Sequence, residues 1–463
     1  MQLTSFVFLF GLLPLCLAGT FLLRRHLRAQ NALLLIVSLL FCAASGIAGL
    51  LAALLELLAV FVLAKALARA AAPRQKKQLL ALGIVFAAGL LCYFKYTNFL
   101  RSMLRLPSVQ LLPAPAGVSF LTFLLISYLI DVFRGTVPAS TQLDEFLLYV
   151  FFFPKALQGP LCRYGDFSAQ LQQRVLGPDD AADGAARLVL GLGKKVLLSA
   201  AAGAVAQEAF SLPAAALSPV YAWMGAVCYA LQIYFDFSGY TDMALGLGRM
   251  LGFHLPENFN HPYTAVSVTD FWRRWHISLS SWFRDYVYIP LGGSRRGKAR
   301  QIFNLLVVWS LTGLWHGANW TFLIWGLWFF FLLAMEKLWL GRLLEKLPRV
   351  CGHIYALLAV LIGWVFFNSR SLSYALSFLR ALIVPGADAL GAACWLQLSL
   401  WQHGPALAIG ILLCTAWPSR LWARLSGTQA GRALQGLLLL IILALSALSL
   451  TSSGVQAFIY AQF

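Results

Sequence analysis

Long runs without charge constrain this chain most. No Asp, Glu, Lys or Arg occurs between Ile302 and Met335, and comparable apolar runs recur along the sequence. Each membrane-spanning helix needs about 20 mainly apolar residues, and its backbone polar groups are satisfied internally. Charged residues make up only 11% of the 463 residues and hydrophobic ones 60%, too little charge for a soluble surface. The sequence therefore predicts an all-α, polytopic membrane protein.

The distribution of positive charge predicts which loops are cytoplasmic. The formal net charge is +18, and the basic residues cluster in short segments between apolar runs, at 24–28, 74–77, 194–195, 295–300 and 420–424. Cytoplasmic loops of membrane proteins carry such clusters, so we expect the bilayer, and no nucleic acid, to be the partner of this charge. If these loops are cytoplasmic, the apolar runs between them predict about 11–12 transmembrane helices in a single domain, 1–463. The first span is expected to be retained rather than cleaved.

Three segments do not read as simple spans. The segment 149–167 is interrupted by Pro154 and Pro160, which predicts a re-entrant segment. The stretch 240–300 predicts amphipathic cytoplasmic structure. The run 302–335 would be about 51 Å long as one helix, so we expect Gly313 and Gly317 to divide it into two. The eight cysteines are scattered without CxxC spacing, which gives no support to a disulfide framework or a zinc site.

Polar side chains within apolar sequence are the candidates for function, because their burial in lipid costs free energy. In "DFWRRWHISLSSWFRDYVYIPLGG" (270–293), helical spacing puts His276 on one stripe with Trp272, Leu279 and Phe283. Taken alone, such a histidine is more often a satisfied core residue. His316, in "GLWHGANW", lies in the charge-free run and is a functional candidate. The two histidines lack a third ligand at helical spacing, so no metal site is expected.

Several long motifs resemble one family. "YFDFSGYTDMALGLGRMLGF", "NFNHPY", "DFWRRWHISLSSWFRDYVYIPLGG" and "GLWHGANWTFLIWG" look like the membrane-bound O-acyltransferase (MBOAT) family. They are most similar to its bacterial branch of alginate O-acetylation, peptidoglycan O-acetylation and teichoic-acid D-alanylation proteins. "GVSFLTFLLISYLIDVFRG", "FFPKALQGPLCRY" and "CYFKYTNF" in the N-terminal half also resemble this branch. The core motifs cover 117–335, and the resemblance extends over essentially the whole chain.

The resemblance implies helices around a central tunnel, with His316 as the catalytic residue and His276 as the supporting second family position. The family transfers an acyl group from a cytoplasmic thioester, an acyl-coenzyme A such as acetyl-CoA or an acyl-phosphopantetheine carrier protein, to a hydroxyl beyond the membrane. No permanently bound cofactor or metal is implied. A neutral imidazole suits this reaction because it can accept a hydroxyl proton near neutral pH. The substrate and tunnel candidates are Trp315, Asn319, Trp320, Asp236, Ser238, Tyr240, Trp272 and Ser280. The candidates for binding the donor phosphate are Arg273, Arg274, Arg295, Arg296 and Lys298.

The C-terminal sequence "AFIYAQF" (457–463) resembles an "FIY" motif found on a small separate partner in the D-alanylation system. The resemblance implies that Tyr460 accepts the acyl group and relays it outward. The alternative is an aromatic anchor at the membrane interface, where tyrosines are common.

These observations predict an enzyme of the bacterial cytoplasmic (inner) membrane that exports acetyl groups for O-acylation of an envelope polysaccharide or peptidoglycan. A separate extracytoplasmic acyltransferase resembling SGNH hydrolases is the expected partner. D-alanyl transfer for teichoic acid, which would use an acyl carrier protein, is the alternative within the class. A transporter with a path through Asp236 and His316 is an alternative from another class, although we see no internal repeat of the kind transporters often show. A non-catalytic scaffold, in which His316 could be replaced, is a further alternative.

Overall fold

The computed structural model describes residues 1–174, 177–384, 389–453 and 458–459, and within these ranges it contains helices, turns and no β-strand. This confirms the all-α prediction. The helices of the first half are α1 (Leu13–Leu22), α2 (Leu27–Ala43), α3 (Ile47–Arg69), α4 (Pro73–Met103), α5 (Val118–Arg134), α6 (Leu143–Phe151), α7 (Tyr164–Gln172), α8 (Pro178–Gly193), α9 (Ala200–Ser211) and α10 (Pro219–Met250). Those of the second half are α11 (Val268–Arg274), α12 (Ile277–Phe283), α13 (Lys298–His316), α14 (Trp320–Met335), α15 (Gly341–Lys346), α16 (Arg349–Asn368), α17 (Leu372–Ala381), α18 (Ala389–Leu413), α19 (Trp417–Leu425) and α20 (Gln429–Ser453).

The chain forms two compact units. The first contains residues up to Leu188, Tyr240–Glu257, and Phe458 and Ile459 near the C-terminus. The second contains Val189–Gly239 and the described residues from Asn258 to Ser453. The prediction of one acyltransferase domain over the whole chain stays a prediction.

The long apolar helices confirm a multi-pass membrane protein. Among the described residues, 6 helical segments are long and apolar enough to cross a bilayer, or 7 if α18 and α19, bent by 82°, form one span. They are Ile47–Arg69, Pro73–Met103, Pro178–Ser211, Trp320–Lys346, Arg349–Asn368 and Gln429–Ser452. Val7–Leu22 and Leu27–Ala43 are apolar but shorter. The count of about 11–12 spans therefore stays a prediction, because several predicted spans correspond to shorter or more polar helices.

Two of the predicted irregularities lie in the first unit. The apolar runs near 31–45 and 48–68 predict a hairpin broken near Gly46 and Gly49. Gly46, with φ 140°, does separate α2 from α3, whereas Gly49 lies inside α3.

The chain is not helical between α6 and α7, and this segment is mostly buried, with Phe152 and Phe153 at 0% exposure. The amine of Lys155 donates a hydrogen bond to the carbonyl of Tyr149 there. The irregular backbone was predicted correctly; that the segment is re-entrant stays a prediction.

The uncharged run divides at Gly317, as predicted, but the prediction of a break at Gly313 was wrong. Gly313 lies inside α13 where this helix meets α14. A Cβ atom on Gly313 would lie 2.6 Å from the carbonyl oxygen of Phe322, and one on Gly326 would lie 2.4 Å from that of Trp309. The two glycines therefore allow two helix backbones to touch, as small residues do in membrane helix pairs.

The stretch 240–300 also differs from its prediction as one amphipathic cytoplasmic segment. Its first residues continue α10 to Met250, and the remainder contains two short helices, α11 and α12, joined by a sharp turn. Tertiary contacts described below, rather than helical periodicity, determine this break.

The glycine contact generates a stability prediction. We expect Gly326→Ala to lower the free energy of unfolding by about 1–3 kcal/mol, since the added methyl group overpacks a backbone contact. Gly436→Ala in α20 is the matched control, because apart from the adjacent residues and the backbone of its own helix no atom lies within 4 Å of its Cβ position. Thermal unfolding of the detergent-purified variants measures the effect, and a Gly326→Ala protein as stable as the control would contradict the prediction.

Candidate active site

One cavity in the second unit brings the two candidate histidines together. It has a volume of about 490 Å³, and both His276 and His316 line it. The candidates Trp272, Ser280 and Arg273 line it as well. Most of the remaining wall is apolar, with Leu279, Phe283, Leu305, Val308, Trp309 and Leu333 among the contributing side chains.

His316 lies in an aromatic surround at the end of α13. It is only 4% exposed, and the rings of Trp315, Trp325 and Phe367 lie 4.5, 4.7 and 5.0 Å from its ring, centroid to centroid. The helix ends after His316 because Gly317 is extended, with φ −176°. Such a backbone suits any residue, but a Cβ on Gly317 would lie 2.2 Å from the ring of Phe322. Packing, rather than backbone freedom, therefore requires glycine beside the histidine.

His276 lies at a break between two short helices rather than on one helical stripe. Helix α11 ends at Arg274, α12 begins at Ile277, and His276 between them has a left-handed backbone with φ 45°. The prediction that Trp272, His276, Leu279 and Phe283 share the face of one helix was thus wrong. All four nevertheless line the cavity.

Asn258 explains this break, and sequence reasoning did not single it out. Its backbone carbonyl accepts from the N–H of Ile277 at 3.0 Å. Its side-chain Oδ1 lies 3.1 Å from Nδ1 of His276 and accepts from the N–H and hydroxyl of Ser278 at 3.1 and 2.8 Å. Asn258 belongs to the quoted motif "NFNHPY", which was the only sign of its importance, since its partner lies far along the chain.

Burial keeps the ring of His276 neutral. His276 lies outside the candidate spanning helices and is 2% exposed, and desolvation lowers its pKa to about 3. In an unfolded chain a histidine has a pKa of about 6.5. Between about pH 3 and about pH 6.5 the unfolded state therefore binds a proton that the folded state does not. The contribution of the neutral ring to the free energy of unfolding is fully present above about pH 6.5 and is lost as the pH falls from about 6.5 to about 3.

Five predicted tunnel residues have other surroundings and do not line this cavity. Asp236, 1% exposed, forms a buried ion pair with Lys195. Asn319 accepts the N–H of Thr321 at the start of α14. Trp320 is 50% exposed, and Ser238 is buried.

Tyr240 belongs to the first unit, where its hydroxyl donates to the carbonyl of Pro154 at 3.4 Å. Trp315 does not line the cavity either, but it touches the ring of His316, as described above.

The basic residues at the cavity are only partly those predicted. Arg273 lines the cavity, whereas Arg274 is paired with Asp270 at 2.8 Å. The predicted Arg295, Arg296 and Lys298 are exposed and do not contribute to the cavity wall. Two cations that the sequence reasoning did not assign, Arg284 and Lys337, line it instead. Lys337 could have been found from the sequence, because it follows closely on the end of the long uncharged run.

The proposed relay residue Tyr460 lies outside the described residues. Its near neighbour Phe458 is 2% exposed and packs edge-on against the ring of Tyr240, with centroids 5.0 Å apart in the first unit. Within the described ranges, no three His, Cys, Asp or Glu side chains are grouped so that they could hold a metal ion.

The chain is similar to known acyltransferases over most of its length. The model of the MBOAT, membrane-bound O-acyltransferase family matches residues 137–372. The probable alginate O-acetylase AlgI of Azotobacter vinelandii is 38% identical over 94% of this chain and 88% of its own length. That of Pseudomonas aeruginosa is 42% identical over 82% and 75%. The peptidoglycan O-acetyltransferase of Helicobacter pylori is 31% identical over 81% and 79%. The chain therefore belongs to the membrane-bound O-acyltransferase family and is an acyltransferase.

Proposed function

We propose that this protein takes an acetyl group from a cytoplasmic thioester and moves it across the bacterial cytoplasmic membrane for O-acetylation of an envelope polysaccharide or peptidoglycan. The observation that carries the proposal is the cavity in which His276 and His316 meet a largely apolar wall and basic side chains. The names of the alginate and peptidoglycan O-acetylating relatives support acetyl as the group and an envelope polymer as its destination.

His316 is the general base in this proposal. Its imidazole takes the proton from the acceptor hydroxyl while the hydroxyl oxygen attacks the thioester carbonyl. The carbon–sulfur bond then breaks, and the thiolate leaves with the proton returned by the imidazolium. General-base catalysis of this kind contributes about 10²–10⁴-fold in rate. The aromatic rings around His316 exclude water, which protects the thioester from hydrolysis.

The cations of the cavity fit an anionic donor. His276 and His316 are 2% and 4% exposed, whereas Arg273, Arg284 and Lys337 are exposed side chains of the same cavity. The histidines are thus the buried part of the cavity wall and the cations its exposed part. Both coenzyme A and phosphopantetheine carry phosphate groups, which arginine and lysine bind by charge-assisted hydrogen bonds. The donor therefore enters with its phosphates at the exposed cations and its thioester toward the histidines.

The exported acetyl group needs an acceptor beyond the membrane. A separate extracytoplasmic acyltransferase resembling SGNH hydrolases is the partner we propose, with Tyr460 as the relay. An interface anchor remains the alternative role of Tyr460. D-alanyl transfer from an acyl carrier protein is the alternative reaction. Because the chain is an acyltransferase, the transporter and the non-catalytic scaffold are set aside.

The first functional prediction concerns His316. We expect His316→Ala to lower acetyl transfer at least about 100-fold, while His26→Ala, at an exposed histidine, keeps the wild-type rate. Protein in nanodiscs is incubated with radiolabelled acetyl-CoA, and retained label and released thiol are measured. Equal rates for His316→Ala and the wild type would overturn the role of His316. If the wild type accepts acetyl only from a carrier protein, that carrier protein is the donor in place of acetyl-CoA, and the role of His316 is unaffected.

The second functional prediction concerns the donor phosphates. We expect Arg284→Gln and Lys337→Gln each to raise KM for acetyl-CoA by roughly 10-fold, equivalent to about 1.4 kcal/mol. This increase in KM should be smaller at high salt, which screens the charges. The same variants should leave KM for S-acetylpantetheine, which lacks phosphate, unchanged. Arg295→Gln is the matched control outside the cavity wall. Equal effects on both thioesters would show that these cations do not bind phosphate.

A further inference from the structure

We propose that Asn258 is a positioning residue that fixes His276 in a single tautomer, with the proton on Nδ1 and Nε2 as the acceptor presented to the substrate. The inference rests on the proposed function, because the cavity that His276 lines is the one in which we place the reacting hydroxyl. It assigns to the second histidine a role different from that of His316.

The hydrogen bonds of Asn258 identify its side-chain oxygen. The atom that contacts His276 also accepts from the backbone N–H of Ser278 at 3.1 Å. A backbone N–H is always a donor, so its partner in the amide must be the oxygen and cannot be the NH₂ group. The hydroxyl of Ser278 donates to the same oxygen at 2.8 Å. The usual ambiguity of an asparagine amide is therefore removed at this position.

The same oxygen then determines the proton on His276. Its Oδ1 lies 3.1 Å from Nδ1 of the imidazole, and two atoms at this distance form a hydrogen bond only if the nitrogen donates. Neutral imidazole carries one proton, and burial keeps this ring neutral. Nδ1 consequently carries the proton, and Nε2 bears the lone pair.

The backbone around His276 is held by the same neighbour. His276 has φ 45°, a left-handed conformation that is strained for a residue with a side chain. Ile277 donates to the carbonyl of Asn258, and Asn260 donates to the carbonyl of Arg274, each at 3.0 Å. These bonds attach both sides of the turn to one segment. Asn258 itself is 0% exposed, so its bonds compete little with water.

The groups around the ring favour the same protonation state. The ring of Phe237 meets the imidazole edge-on at 4.6 Å, and Trp315 lies 6.3 Å away. The charged groups that share the cavity are Arg273, Arg284 and Lys337, and the other titratable side chains are His316 and Tyr288. Desolvation in this surround disfavours an imidazolium, and Asp285 balances the charge of Arg284 at 2.8 Å. Nε2 of His276 can thus receive a hydrogen bond from the acceptor hydroxyl and orient it, while His316 removes the proton.

Nuclear magnetic resonance of ¹⁵N-histidine-labelled protein in nanodiscs tests the tautomer directly. The His276 signals are assigned from their loss in His276→Gln. We expect the neutral, Nδ1-protonated form from about pH 5 to about pH 8 in the wild type, and a shift toward Nε2 protonation in Asn258→Ala. A wild-type His276 protonated on Nε2 would overturn the inference, whether or not the protein transfers acetyl groups.

The pH dependence of kcat/KM separates positioning from a purely structural role. We expect Asn258→Asp to keep the acceptor oxygen but to raise the pKa of His276 from about 3 into the range of the acid limb through its carboxylate. Protonation of His276 then adds to that of the base His316 and moves the acid limb upward. Asn258→Ala should lose roughly 10- to 100-fold in kcat. Asn304→Ala is the control, since Asn304 is also 0% exposed and its side-chain nitrogen donates to the backbone carbonyl of Gly293 at 2.9 Å. The acid limb of this variant should not move. An unchanged acid limb in Asn258→Asp would contradict the assigned role.

Discussion

The contact between α13 and α14 at Gly313 and Gly326 is the constraint on which the site depends. Because the two backbones touch there, α14 runs back along α13, and Trp325 reaches the ring of His316 at 4.7 Å. Small residues let helix backbones approach closely, and such packing is one source of attraction between helices in a bilayer, which the segment containing α14 is long and apolar enough to cross. The position of His316 is therefore a consequence of where two glycines occur, one on each helix.

A second set of contacts joins α11 to this helix pair. The indole of Trp272 packs against Trp309 and Phe329 at 4.7 and 4.9 Å, which connects α11 with both α13 and α14. The carboxylate of Glu336, just beyond α14, accepts the backbone N–H groups of Val268 and Thr269 at 2.7 and 2.9 Å. Free N–H groups at a helix start require such acceptors, and a carboxylate is the strongest available. Aromatic packing and one acidic side chain thus hold the short helix whose residues form the cavity wall.

Features of the fold and of the site could be predicted where the residues that cause them are neighbours in the sequence. The membrane class follows from composition. The break at Gly317 follows from a glycine in an uncharged run too long for one span, and the choice of His316 as a candidate follows from an imidazole within that run. The prediction of a break at Gly313 was wrong because a glycine that allows close packing looks the same in sequence as one that ends a helix. The turn at His276 was missed because Asn258, remote in the chain, imposes it against the local helical periodicity.

The charged candidates show the same limit. Asp236 is conspicuous in an apolar helix, but its charge is balanced by Lys195, a partner that periodicity cannot identify. Such buried pairs are weak evidence for a reactive site, because most of their Coulomb attraction offsets desolvation. Arg284, in contrast, looks like an ordinary interfacial charge in the sequence, whereas Lys337 follows closely on the long uncharged run. Only the folded chain shows that both line the cavity that holds the histidines.

Burial has two opposite effects on this site, and the structure accommodates both. It keeps an imidazole neutral and water away from a thioester, which a general base and a reactive acyl group both require. It also makes the same region unfavourable for the phosphates that the proposed donors carry, since an unpaired charge cannot be desolvated cheaply. A cavity with buried histidines and exposed cations resolves the conflict, because charge and reactive carbonyl belong to opposite ends of such a donor. This spatial separation, rather than either histidine alone, makes the cavity suitable for acyl transfer.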